Sequence, residues 1–214
     1  MIHSKADYLY YLEADRIALL RERPKNIQDV LRNIYCPDYI WRFQKILRKV
    51  EYYKNCKKGL FSKICYAFIY KKYKNLSLKL GFSIPYNVIG PGLAIVHYGT
   101  IIISDYAKIG SNLRIHACTN IGMTNNKAPI IGDNCYIGPG AKLYGGIIIG
   151  NDVVIGANSV VNKTFPSNGI AIAGIPAKEI GKNKYHLVVE ATQFIDRGIT
   201  DIFQIKKEFT KEDI

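Results

Sequence analysis

IGDNCYIGPGAKLYGGIIIGNDVVIGANSVV, residues 131–161, is the stretch that decides the fold. Ile131, Ile137, Leu143, Ile149, Ile155 and Val161 recur at every sixth position, and no member of the series is polar. Cys135, Ala141, Ile147, Val153 and Ser159 follow four residues after the first five, and Gly132, Gly138, Gly150 and Gly156 stand directly behind aliphatic residues. A 3.6-residue helix does not produce a beat of six, nor does simple alternation along a strand; a three-faced prism of short strands does, at about eighteen residues per coil. The aliphatic residues point inward, and glycine serves corners that need positive φ or close backbone approach. Two earlier frames, Ile89–Ile95–Ile101 and Ile109–Ile115–Ile121, share the beat with an offset of eight residues between them. Residues 84–182 supply about five coils, each adding roughly 4.8 Å.

Outward from the repeat, composition divides the chain of 214 residues into a helical region at 1–80, the prism at 81–182 and a helical tail at 183–214. These carry net charges of +11, +3 and −1, and 16 of the 18 glycines lie in the middle part. In the first region Ser4 is placed to cap a helix through SKADYLYYLEADRIALL, which Pro24 or Asn26 interrupts, and Asp38 to cap DYIWRFQKILRKVEYYKN, broken at Gly59. LFSKICYAFIYKKYKNLSLKL follows, with an apolar and a basic side. The tail reads as helix punctuated at Gly198.

At 48% apolar residues the chain is neither disordered nor collagen-like, and no run is long enough to span a bilayer. Its beginning has no basic and apolar leader, so a cytoplasmic location is expected. Five cysteines without a CxxC pair argue for free thiols. Because the net positive charge is concentrated in 1–80, this basic, aromatic segment is expected to form a helical cap on the open end of the prism. Peripheral contact with anionic lipid or with a polyanionic glycan precursor stays open, and nucleic acid is disfavoured.

This series, closed by GIAIAGIPAKEIGK, closely resembles that of the hexapeptide-repeat acyltransferases, and the resemblance implies a left-handed parallel β-helix. IPYNVIGPGLAIVHYGTIIISDYAKIGSNLRIHACTNIG is similar to the matching region of serine acetyltransferases, with His97 on their catalytic histidine and Asp105 on a nearby acid. The resemblance implies acetyl-CoA as co-substrate, a homotrimer or a dimer of trimers, and active sites between neighbouring subunits. It also places Met123, Thr124, Pro139 and Ala157 along the pantetheine arm, with Lys178 at the nucleotide phosphates. The departures concern the acceptor. Val96 and Phe82 stand where that family has acids, and Lys127 and Ala128 where it has an Arg–His pair. A free amino acid left without charged partners is costly to desolvate, which favours a neutral hydroxyl acceptor such as a sugar or surface-polysaccharide precursor. Serine O-acetylation for cysteine biosynthesis is the alternative.

Acetyl transfer from a thioester to an alcohol needs a base for the hydroxyl proton, and a histidine, ordinarily titrating at about 6.5, suits that task near neutrality. His97, two residues past the inward Ile95, is expected to leave the prism near a corner and act as this base in a direct transfer. His116, about one coil on, and Lys127, in the loop MTNNKAP, are candidates for the acceptor side; Asp105 is a candidate to orient His97. Cys118 is expected to fill a small slot in the wall, as Cys135 does. Only His97 and His116 lie in the coils, short of the three histidines of a zinc site of the β-helical carbonic anhydrase type, so no metal is expected. A non-catalytic scaffold is the remaining reading.

Overall fold

The computed structural model describes residues 1–184 and 187–209; His186 and the last five residues of the tail lie outside the described residues. Four helices come first: α1 (Lys5–Ala18), α2 (Ile27–Tyr35), α3 (Tyr39–Cys56) and α4 (Leu60–Leu80). Ser4, Asn26 and Asp38 each accept a hydrogen bond from a backbone N–H of the first turn of α1, α2 and α3, which satisfies a donor that the helix cannot. The segment after Pro24 thus re-forms a helix, α2, where the sequence reading has only an interruption. Its Asn26 cap is the local signal for it.

Short strands then wind into a parallel β-helix of three faces, and its six-residue repeat is that of the left-handed form. The first face stacks β1 (Phe82–Ser83), β3 (Ile101–Ile103), β6 (Thr119–Gly122), β9 (Lys142–Tyr144) and β12 (Val160–Val161). The second stacks β2 (Ala94–Ile95), β5 (Arg114–Ile115), β8 (Tyr136–Ile137), β11 (Val154–Ile155) and β13 (Ile170–Gly174), closed by the antiparallel β14 (Ala177–Lys182). The third stacks β4 (Lys108–Ile109), β7 (Ile130–Ile131) and β10 (Ile148–Ile149). Ile95, Ile115, Ile137, Ile155 and Ile172 form one fully buried ladder inside the prism, so each coil buries an aliphatic side chain against the next.

The register corrects the sequence reading in one respect that bears on the site. Ile103, not Ile101, pairs with Ile121, and Ile101 pairs with Thr119. The two extra residues of this coil therefore lie between Ile95 and Ile103, in the segment that holds His97, and not between Ile101 and Ile109. Corner chemistry differs as well. Gly132 and Gly150 provide close backbone approach and Gly92 and Gly140 take left-handed corners, with φ of 82° and 77°, but Asn112, Asn134 and Asp152 take such corners too, with φ of 56°, 57° and 57°. Asn112 donates to Asn134 at 2.8 Å and Asn134 to Asp152 at 2.9 Å, a side-chain ladder down that edge.

Helices α3 and α4 cover the open end of the prism, with Phe43, Leu47, Val50, Tyr73 and Leu80 in one core with Phe82, Ile84 and Leu93. Arg48 is fully buried there. It donates to Asp15 (2.8 and 3.1 Å), to Glu51 (3.1 Å) and to the carbonyls of Ile89 and Gly90 (2.9 and 2.6 Å), tying α1 and α3 to the first coil. Burial pulls the pKa of this guanidinium down, but Asp15 and Glu51 outweigh it, raise it above the ordinary arginine value and hold the charge firmly. In the tail, α5 (Ala191–Asp196) and α6 (Ile202–Phe209) flank Gly198, whose φ is 73°, and Val189, Ala191, Ile202 and Ile205 pack with Ala14 and Ile17 of α1. No helix among the described residues is long and apolar enough to cross a membrane.

Candidate functional site

His97 follows β2 at the edge where the chain passes from the second face to the first. The same edge is built on later coils by His116–Cys118, Pro139–Gly140 and Ala157–Asn158, because Ile95, Ile115, Ile137 and Ile155 are in register. The ring of His97 stands 5.9 Å from that of His116, and His116 stands 5.1 Å from the ring of Tyr136 on the following coil. His97 is exposed in the single chain, while His116 is half-buried, with its Nε2 shielded from solvent and without a hydrogen-bond partner. Burial lowers the pKa of His116, and the charges of Arg114 and His97 lower it further. The pair is therefore biased toward a neutral imidazole at His116.

Two devices set the position of the His97 segment. Gln44 of α3, buried, donates to the carbonyl of Leu93 at 2.6 Å and accepts from the N–H of Ile95 at 3.3 Å, gripping the strand two residues before His97. Two residues after it, Gly99 has φ of 132° and donates its N–H to the carbonyl of Leu80 at 3.0 Å. A Cβ at Gly99 would meet that of Ala117 at 3.1 Å, so only glycine fits both the backbone angle and the gap to the next coil.

The expected site residues divide between two edges. Pro139 and Ala157 are exposed on the edge of His97, one coil apart, and Lys178 pairs with Ala173 at the far end of the same face. At about 4.8 Å per coil this aligns small side chains and a terminal ammonium along roughly 20 Å, a smooth track that suits a slender polyamide arm ending in phosphates. Asp105, Met123, Thr124 and Lys127 stand elsewhere, on the edge where the chain passes from the first face to the third. The exposed Asp105 is separated from His97 by the length of β3, and within one chain the two do not meet. Thr124 and Lys127 exchange backbone hydrogen bonds at 2.9 and 3.1 Å, which folds the MTNNKAP loop into a tight turn. The stem of Lys127 lies against Gly146.

Cys118 is not in the wall. It is exposed in a left-handed corner with φ of 63°, and its carbonyl accepts from Lys142. Cys135 does lie on the inner ladder, and burial pushes its thiol up to about 12. Arg114 and Tyr136, which the sequence reading passes over, flank His116 on the second face. Both directly precede an inward isoleucine, the position whose side chain faces outward beside a histidine edge, and that was the signal available. Among the described residues no three His, Cys, Asp or Glu side chains are grouped to hold a metal ion.

Residues 128–163 match the family model described as bacterial transferase hexapeptide (six repeats). Serine acetyltransferase of Mycobacterium tuberculosis is 35% identical over 104 residues, 47% of this chain and 45% of that protein. That of Staphylococcus xylosus is 34% identical over 129 residues, 58% of each. The chain thus spans about half the length of the curated relatives it matches. Among solved structures, serine acetyltransferase from Brucella abortus in complex with coenzyme A has a TM-score of 0.64 at 23% identity, covering 83% of this chain and 69% of that one. The enzyme from Neisseria gonorrhoeae has a TM-score of 0.63 at 24% identity, covering 84% and 69%. These structures share the fold. Residues 128–163 carry the bacterial transferase hexapeptide repeat, and over about half its length the chain is similar to the serine acetyltransferases.

Proposed function

We propose that the protein is a cytoplasmic, acetyl-CoA-dependent O-acetyltransferase in which His97 is the general base. The observation that carries this reading is the placement of His97 beside His116 at the head of the track formed by Pro139, Ala157 and Lys178. The acceptor hydroxyl gives its proton to the imidazole of His97 as its oxygen attacks the thioester carbonyl. The tetrahedral oxyanion then collapses, and the thiolate of coenzyme A leaves and takes up that proton. No acyl-cysteine step is invoked: Cys135 is sealed in the core, and among the described residues no histidine is hydrogen-bonded to the exposed thiol of Cys118 to activate it.

The exposure of His97 in a single chain supports a threefold assembly. An edge carrying His97 in one copy would face the edge carrying Asp105, Met123, Thr124 and Lys127 in the next, which closes the groove and excludes water. Asp105 then orients His97 across that interface.

For the acceptor, the names of the curated relatives favour L-serine over a sugar. Arg114, close enough to depress the titration of His116, offers one cation for a carboxylate that the sequence reading counts as missing. The neutral sugar acceptor is the second reading, supported by Val96 and the buried Phe82 at positions where the resemblance leads one to expect acids. Thiol release from acetyl-CoA separates the two. Saturable turnover with L-serine at millimolar concentration supports the serine reading. Turnover confined to glycosyl acceptors supports the other, and none with either class overturns both.

A further inference from the structure

A cavity of about 850 Å³ lies in the helical region, between the end of α1, α2 and the start of α3, and has no part in the acetyl-transfer site. Its volume is that of a small-molecule site. The charges around it are unbalanced. Arg21, Arg23, Arg32, Arg42 and Lys45 face Glu22, Asp29 and Asp38, and all three carboxylates are already engaged. Glu22 pairs with Lys25 at 3.1 Å, Asp29 with Arg32 at 3.3 Å, and Asp38 both caps α3 through the N–H of Trp41 and pairs with Arg21. Arg23 is held by Glu13 at 2.9 Å. Arg42 and Lys45 are left without a carboxylate partner among the described residues, and the Nε of Arg21 is buried without an acceptor.

Arg21, in the loop after α1, and Arg42 and Lys45, one turn apart on α3, thus share one carboxylate in a half-enclosed space. Burial lowers the pKa of Lys45, and Arg42 and Arg21 lower it further, which is the repulsion expected where a counter-anion belongs. Lys45 also lies 5.5 Å over the ring of Trp41, so a flat apolar surface stands beside the cationic cluster. Guanidinium groups with an ammonium suit the oxygens of a di-anion, and an indole face suits a heterocyclic ring.

We propose that this cavity is a binding site for a phosphorylated, ring-bearing metabolite of nucleoside diphosphate size, with Arg21, Arg42 and Lys45 holding the phosphates and Trp41 stacking on the ring. Trp41 is the only tryptophan of the chain, so it reports the site without labelling. The test titrates the full chain with uridine 5′-diphosphate, and in parallel with inorganic pyrophosphate, reading Trp41 fluorescence and heat. Saturable quenching with one ligand per chain is expected. Affinity should fall tenfold or more in Arg42→Ala/Lys45→Ala, with Arg42→Gln as the milder variant if the double one melts early, and stay unchanged in Lys178→Ala. Absence of binding of both probes at millimolar concentration overturns the assignment, as does binding that the Arg42 and Lys45 variants leave intact.

Discussion

The ring of His97 stands 5.9 Å from that of His116 on the next coil, although the coil between them is two residues longer than the repeat. The extra residues fall in the His97 segment itself, so the edge bulges at the histidine proposed as the base and the inner ladder is left undisturbed.

His116 titrates below the ordinary histidine value of about 6.5, through burial first and then the charges of Arg114 and His97. Arg114→Gln should raise its midpoint, and His97→Asn should raise it by less, as read from histidine ring signals in NMR. The folded state resists protonation here more than the unfolded chain does. This group's contribution to stability is therefore complete above about pH 6.5 and declines as the pH falls below it.

Gly99→Ala should cost about 1–3 kcal/mol in urea unfolding, since alanine must take φ of 132° and press its Cβ on Ala117. Turnover should fall along with stability, because the bond from Gly99 to Leu80 anchors the segment bearing His97.

The six-residue beat from Ile131 to Val161 is legible in the sequence because an inward ladder is a local pattern, repeated without interruption. The upstream frame is harder. Ile101, Ile102 and Ile103 are chemically alike, and only strand pairing tells which of them joins the ladder of Ile121. That uncertainty also hides Arg114 and Tyr136, which pair across the MTNNKAP insertion at a separation of 22 residues where the repeat leads one to look for about eighteen. The place of His97 at a prism edge is legible from its spacing past the inward Ile95, whereas Cys118 is misplaced, because the positive φ of its corner leaves no sequence mark on a cysteine. The cationic cavity depends on how α1, α2 and α3 pack, and no local pattern reports it.

Arg48→Met should destabilise the protein by about 3–5 kcal/mol, shifting the denaturation midpoint, because it strands Asp15 and Glu51 in the core. Asp15 also accepts from the N–H groups of Gly92 and Leu93 at 3.0 and 2.8 Å, so the first coil should loosen before the later ones, as hydrogen exchange would record.

Lys178→Ala should raise the KM for acetyl-CoA roughly threefold to tenfold and leave kcat near wild type, since its ammonium would meet phosphate far from the reacting carbon. The difference between wild type and variant should shrink as salt is added.

The most direct test is His97→Ala, assayed by thiol release from acetyl-CoA with the acceptor that the wild-type protein uses, alongside calorimetric titration with acetyl-CoA. Loss of turnover by about 10²–10⁴ with unchanged acetyl-CoA affinity is the predicted result. A variant that turns over at the wild-type rate would contradict the account.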